Sequence, residues 1–343
     1  MIQHSLITGP STKESSLGGG GGLATPLQSA IIAGNCRLRL SAVRISCART
    51  AEPHPEGFMI ELVDLRYVHL GSSSAVDASK WAQEIYGLEE VAQENGRIYL
   101  RGDDRDHNIC YFDGDPKDNT VGIEVADYDA LDQAASHLEA NGVNVTWGDD
   151  QGAIVRRCMK YLTFSDPTGN KFDLVVRPFA SGRRYFPSRD AGVHWFNHIG
   201  LKTKDAPRDE KFWCTLFNFT ANDWIGDAPL MSFDKVHHRF ALFPTNEAGV
   251  QHINFQVKET DDLMRSSYFF NDRQIRIVFG PGRHATSGAR FLYFEGPDGM
   301  IYEYSCGVRM IEPEEEWKPR QFPFTPESFC VWGSKPDIPE FKD

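Results

Sequence analysis

EGPDGMIYEYS, residues 295–305, has an echo about 130 residues earlier, SDPTGNKFDLV at 165–175. Each is a turn rich in Gly, Pro and Asp followed by a short run of aromatic and β-branched residues, the pattern of one strand turning into the next. The later copy sits in GPGRHATSGARFLYFEGPDGMIYEY, residues 280–304, where FLYF and MIYEY flank the turn. A hairpin symmetric about Asp298 makes Tyr293 and Glu303 a direct cross-strand pair, with Cβ atoms roughly 5 Å apart. Taken alone, such a pair fits any amphipathic hairpin whose polar face is in water. The rest of the chain decides whether more is meant.

The echo belongs to a wider repeat. DLRYVHLG (64–71), TVGIEV (120–125), FNHIGLKT (196–203) and HINFQV (252–257) each open a segment that reads as strand, amphipathic helix, then several short strands. Asp77, Asp127, Asp205 and Asp261 follow these strands and are expected to cap the four helices; after Asp127, Leu131, Ala134, Ala135 and Leu138 lie at helical spacing. Four βαβββ modules in two domains are the economical description, an α+β protein. The expected organisation is an N-terminal pair of modules at 59–180 and a linker at 181–192 (SGRRYFPSRDAG). A C-terminal pair at 193–310 and a Pro- and aromatic-rich tail at 311–343 complete it. The tail is expected to pack across the C-terminal pair or a neighbouring subunit.

Residues 1–58 differ in kind. They carry five consecutive glycines (Gly18 to Gly22), many serines, the basic run CRLRLSAVRISCAR and, before Glu52, only Glu14 as an acid. That composition does not bury a core. It reads as a disordered or non-native extension, either an Arg/Ser-rich targeting segment or upstream sequence joined to a chain that starts at Met59.

Across all 343 residues, 41% hydrophobic and 12% aromatic content indicates a globular chain with room for two cores. A formal charge of −12 argues against nucleic-acid and anionic-membrane partners, which call for a basic footprint. No apolar run is long enough to span a bilayer. The seven cysteines are odd in number and contain no CxxC pair, as expected of reduced thiols in a cytoplasmic protein.

The repeat also provides an internal comparison. Alignment of the two halves sets Tyr67 against His198, Thr120 against His252 and Asp173 against Glu303. Residues needed merely for the fold would be kept in both halves, whereas both histidines occur in the second only. In VQHINFQV, strand alternation puts Ile253, Phe255 and Val257 on one face and His252, Asn254 and Gln256 on the other. His198 and His252 open the first strands of their modules in this reading, and Glu303 lies on a last strand. Two imidazoles and a carboxylate on three strands can take one side of a metal and leave the other open, the facial arrangement suited to non-haem Fe(II) and O2.

At this point the residues carry a resemblance. Gly-x-His at 282–284, Tyr293 nine residues on, Pro-x-Gly at 297–299 and Glu303 ten residues after the tyrosine resemble the type I extradiol ring-cleavage dioxygenases of the vicinal oxygen chelate superfamily. The resemblance spans residues 59 to about 310. Gly296 departs from it, standing where the family more often has an acidic or amide residue. It implies a glyoxalase-like fold in which each pair of modules forms a cupped mixed sheet. It also implies Fe(II), rather than Mn(II), held by His198, His252 and Glu303, with His238, His284 and Tyr293 as catalytic groups around it. The substrates would be a catechol and O2, the ring being opened beside the diol to a semialdehyde-type acid, as in aromatic-compound degradation, and the enzyme a homo-oligomer. SGRRYFPSRDAG, GPGRH and the tail RQFPFTPESFCVWGSKPDIPEF further resemble dioxygenases acting on 2,3-dihydroxy-p-cumate, a carboxylated catechol that Arg183 and Arg184 could meet, although linker arginines are commonly solvated.

Two other readings share the fold. A glyoxalase-like lyase or isomerase would need a further carboxylate ligand in place of a histidine, and a non-catalytic metal- or small-molecule-binding protein would not need His238, His284 and Tyr293. In VHHRFALF, strand parity puts His238 with Phe240 and Leu242 facing the cavity and His237 on the wetter side.

Overall fold

A computed structural model of the chain describes residues 57–313 and 315–342; the expected extension, apart from Gly57 and Phe58, lies outside them. The first module runs β1 (Leu62–Ser72), α1 (Ala75–Glu84), β2 (Glu89–Glu94), β3 (Arg97–Arg101) and β4 (Ile109–Asp113). The second runs β5 (Asn119–Val125), α2 (Tyr128–Ala140), β6 (Thr146–Trp147), the extra helix α3 (Asp150–Arg156), β7 (Lys160–Ser165) and β8 (Lys171–Val176). The third is β9 (Val193–Thr203), α4 (Ala206–Leu216), β10 (Thr220–Ile225), β11 (Ala228–Ser232) and β12 (Phe240–Pro244). The fourth is β13 (Gly249–Val257), α5 (Thr260–Asp272), β14 (Ile277–Arg283), β15 (Arg290–Glu295) and β16 (Ile301–Cys306). Four βαβββ units are thus present, as the repeat led one to expect.

Each pair of modules makes one mixed sheet. The first has strand order β2-β3-β4-β1-β5-β8-β7-β6 and the second β14-β15-β16-β13-β9-β12-β11-β10, extended at its edge by β17 (Arg320–Phe322) from the tail. In both, the opening strands of the two modules pair antiparallel at the centre, and each opening strand pairs parallel with the last strand of its own module. The registers coincide: Tyr67 faces Gly122 as His198 faces Asn254, and Gly122 faces Asp173 as Asn254 faces Glu303.

Helix capping follows the expectation at two of four sites. Asp127 and Asp205 cap α2 and α4, accepting from Ala130 N and Arg208 N. For α1 the cap is Ser74, whose hydroxyl accepts from Asp77 N, and for α5 Glu259 and Asp262 form a reciprocal capping box. Asp77 and Asp261 stand inside the first turn instead, where an acid still complements the helix dipole.

Alternation along the strands separates two apolar layers. Phe240 and Leu242 of β12 and Leu292 and Phe294 of β15 join the large core that also holds Trp213 of α4 and Leu263 and Phe270 of α5. Ala241, Phe243, Phe291 and Tyr293, one residue out of phase, join a second cluster with Phe329, Cys330, Ile338 and Phe341 of the tail. The helices therefore cover one face of the second sheet, and the tail packs across the other.

The hairpin that opened the sequence reading has the expected register, with Tyr293 directly opposite Glu303. Asp298 at its tip has φ +57° and accepts from Ser72 Oγ at 2.6 Å, tying the turn to the first module. Gly296 has a steric reason: a Cβ there would lie 2.4 Å from the Tyr302 ring and 2.7 Å from Trp81.

Candidate metal centre

His198 lies on β9, His252 on β13 and Glu303 on β16, three adjacent strands of one sheet. Both histidines sit inside their strands rather than at the openings anticipated from sequence. One ligand atom from each residue lies within 4.8 Å of the others, and all three side chains are buried. His198 Nε2 is 3.1 Å from His252 Nε2 and 3.0 Å from Glu303 Oε2, and His252 Nε2 is 3.5 Å from the same oxygen.

Whether a cation suits this set can be read from what the groups lack. Both Glu303 oxygens are buried without a hydrogen-bond partner among the described residues, although imidazole nitrogens stand near them. A buried carboxylate with no aligned donor is costly, and a divalent ion between it and two imidazoles removes that cost. Burial pushes the Glu303 carboxyl up, whereas positive charge on the adjoining His198, His284 and His252 holds it below the usual carboxylate range; a bound cation would supply that charge with the imidazoles neutral. Burial lowers His252 to about 3, leaving it neutral.

Two β-bulges orient the candidate ligands. The β9–β13 ladder skips Asn197 on one strand and Gln251 on the other, each the residue before a histidine. A bulge brings adjacent side chains, normally on opposite faces, toward one side. Gln251 Oε1 meets His252 Nδ1, and the Asn197 amide lies 2.9 Å from His198 Nδ1. Among the described residues Asn197 Oδ1 has no hydrogen-bond partner, and with the amide turned over it accepts from His198 Nδ1–H. Both imidazoles then carry their proton on Nδ1 and direct the Nε2 lone pair inward, as a metal ligand requires. Gly200 permits this: opposite His252, a Cβ would come within 2.2 Å of its Nδ1.

The three other sequence candidates close the site. The His238 ring centroid is 4.3 Å from that of His198, and Tyr293 is 5.2 Å from His252. Tyr293 Oη is 3.2 Å from His284 Nε2, which is 3.5 Å from Glu303 Oε1. His284 Nδ1 is 2.9 Å from the Phe329 carbonyl of the tail, an acceptor only, so Nδ1 carries the proton and Nε2 accepts from the tyrosine. Burial and the neighbouring Glu303 charge push the Tyr293 phenol well above its ordinary range, and it stays protonated. His238 is pushed well below its ordinary range by burial and by the surrounding histidines.

The strand-parity argument for His237 does not hold. Residues 237–239 precede β12 in irregular backbone, and His237 is fully buried, its Nε2 2.9 Å from Asp223 Oδ2, rather than on a wet face. Arg183 and Arg184 are exposed in the segment between the sheets, their carbonyls accepting from Arg101. Sequence reading missed Asn197, Gln251, Asp223 and Arg320; an amide immediately before each ligand histidine was the signal available for the first two.

Among the described residues the first sheet has no such centre. Tyr67 Oη donates to Asp173 Oδ2 at 3.0 Å, Arg156 Nε donates to the same oxygen at 2.6 Å and Thr163 Oγ1 to the other at 2.7 Å. The bulge at Asn197 has its counterpart at Arg66, but the ladder around Thr120 runs without the bulge seen at Gln251.

Comparison with known proteins bears on this geometry. Residues 195–304 match the family described as Glyoxalase/Bleomycin resistance protein/Dioxygenase superfamily. The chain is 26% identical over 281 residues to biphenyl-2,3-diol 1,2-dioxygenase of Sphingomonas paucimobilis, covering 76% of this chain and 94% of that one. It is 24% identical to an iron-dependent extradiol dioxygenase of Rhodococcus jostii (76% of this chain, 93% of the relative). It is 25% identical to a manganese-dependent 2,3-dihydroxybiphenyl 1,2-dioxygenase of Geobacillus genomosp. 3 (71% and 85%). Among solved structures, a variant of homoprotocatechuate 2,3-dioxygenase from B. fuscum superposes with a TM-score of 0.75 at 21% identity, over 84% of this chain and 83% of that one.

Proposed function

We propose that His198, His252 and Glu303 hold the metal of this chain, an extradiol ring-cleaving dioxygenase, and that the metal is Fe(II). The observation that carries the assignment is the pair of buried, unpartnered Glu303 oxygens beside two imidazoles whose Nδ1 atoms are engaged by Gln251 and Asn197. Two nitrogens and one carboxylate suit Fe(II) and oxygen chemistry. Mn(II) is the second reading, favoured by the manganese-dependent relative.

A metal held by His198, His252 and Glu303 would supply Lewis-acid and electron-transfer chemistry for a catechol and O2. The protein's own part is proton handling and orientation. Tyr293, kept protonated, and His284, with a bare Nε2, form a donor–acceptor pair that receives a catechol hydroxyl and its proton. His238, neutral beside His198, accepts a proton on the other side and returns it as the ring opens. Phe243, Phe279, Phe291 and Phe341 keep the surroundings of Tyr293 and His284 apolar, which strengthens these hydrogen bonds.

The substrates are a catechol and O2. The five cysteines among the described residues are free, which supports a reducing, cytoplasmic setting, and no helix among those residues is long and apolar enough to cross a membrane. Homo-oligomerisation rests on the resemblance and is measured by analytical ultracentrifugation.

The test is to load the metal-free chain anaerobically with Fe(II) or Mn(II), add 2,3-dihydroxybiphenyl or a panel of substituted catechols, and admit oxygen. Coloured ring-opened product with Fe(II), one O2 consumed per catechol, is the expected result. Turnover by the metal-free chain, or full turnover by Glu303→Ala, overturns the ligand assignment. Turnover with Mn(II) alone overturns the choice of metal.

A further inference from the structure

A chain of polar contacts runs from the tail to His238. Arg320, on β17, donates to Asp223 through its backbone N at 2.8 Å, through Nε at 3.0 Å and through Nη2 at 2.5 Å. Asp223 Oδ2 also faces His237 Nε2 at 2.9 Å, and His237 Nδ1 faces His238 Nδ1 at 3.1 Å. Asp223, His237 and His238 are all buried. Asn222 Nδ2 donates to the His237 carbonyl at 2.9 Å and holds that backbone.

The direction of these bonds follows from what each group can do. An ionised carboxylate only accepts, so His237 carries a proton on Nε2. Arg320 already balances the Asp223 charge, so nothing requires His237 to be a cation, and burial favours its neutral form. A neutral His237 with its proton on Nε2 has a bare Nδ1, which can only accept. The contact at 3.1 Å then needs the proton on His238 Nδ1.

We propose that Asp223, His237 and Arg320 are positioning residues that hold His238 with its proton on Nδ1 and its Nε2 bare beside His198. This rests on the reading of His238 as a proton acceptor next to the metal. In that role a proton leaves an oxygen of the bound reactants and bonds to Nε2. His238 then carries protons on both nitrogens until it gives that one back, and its Nδ1–H bond to His237 persists throughout. The tail thereby takes part in the chemistry through Arg320 without touching the reactants.

The test has one measurement without turnover and one with it. In the full chain loaded with diamagnetic Zn(II), long-range 1H–15N correlation of labelled histidines is expected to show His237 protonated on Nε2 and His238 on Nδ1. Protonation of His238 on Nε2, or of His237 on both nitrogens, overturns the proposal. With Fe(II), His237→Leu removes the acceptor and is expected to lower kcat by tenfold or more, with catechol KM and iron content within about twofold. His237→Asn places a carbonyl near the old Nδ1 and is expected to recover most of kcat. Wild-type kcat in His237→Leu, or equal loss in both variants, overturns the proposal. If the wild-type chain opens no catechol ring, the functional reading fails, while the Zn(II) spectra still decide this one.

Discussion

Asp173 and Glu303 occupy matching positions in the two sheets, yet Asp173 is bonded by Tyr67, Arg156 and Thr163, while both Glu303 oxygens, near imidazole nitrogens, are buried without a hydrogen-bond partner among the described residues. The same place in the same fold is satisfied internally in one half and left open in the other. A buried carboxylate is tolerated when it is fully paired or when an ion completes it.

Opposite outcomes are therefore expected on removing the two acids. Asp173→Ala leaves the Arg156 guanidinium without its partner and is expected to destabilise the chain by about 3 kcal/mol, with iron per folded chain unchanged. Glu303→Ala is expected to abolish iron binding while leaving the metal-free melting temperature unchanged or higher. Calorimetry and metal analysis read both.

Gly200→Ala puts a methyl group where the His252 imidazole now lies, 2.2 Å from its Nδ1. The ring, at the edge of an open coordination site, is the part that can move. Loss of most bound iron from a protein with wild-type circular dichroism is the expected outcome; full iron content would show that the strand gives way instead.

Gln251→Ala and Asn197→Ala remove the groups engaged with Nδ1 of His252 and His198, the proposed ligands. Metal affinity is expected to fall by about 10- to 100-fold in each, the usual effect of losing a partner that orients a ligand. Competition with a coloured chelator measures it, and unchanged affinity in both would remove the bulges from the metal site.

Acid should weaken the metal-free chain in a defined window. Folding holds His252 at about 3 against roughly 6.5 in the unfolded chain, so between these values the unfolded state binds a proton that the folded state does not. Stability is complete above pH 6.5 or so and is lost as pH falls, by about 1.4 kcal/mol per pH unit for this histidine well inside the window. His238, also lowered, adds in the same direction. Urea unfolding of the chelator-treated chain between pH 8 and 5 should show the decline, and Fe(II) should move it to lower pH by competing with the protons.

Much of this protein was legible along the chain because its signals are local or periodic. The modules announce themselves through strand alternation and helical spacing. The turn at Pro297 and Asp298 sets the register that pairs Tyr293 with Glu303, and His198 and His252, matched by Tyr67 and Thr120 in the first half, single out the candidate metal centre. Helix caps were half right because Ser74 and Glu259 compete with nearby aspartates for the same backbone donors, a contest settled by backbone angles.

What only the tertiary structure decided depends on departures from regular strands and on contacts between distant segments. His237 and His238 lie outside any strand, so parity could not apply to them, and burial of His237 arises from Asp223 and Arg320, which are 14 residues before and 83 after it. The bulges at Asn197 and Gln251 shift the ladder by one residue without any mark in hydrophobic pattern. The proton position on His284 follows from a carbonyl in the tail. Periodicity reports which face a residue prefers when the backbone is regular; the orientation of each ligand and the proton on each imidazole come from irregular backbone and long-range partners, which a pattern of residue types does not encode.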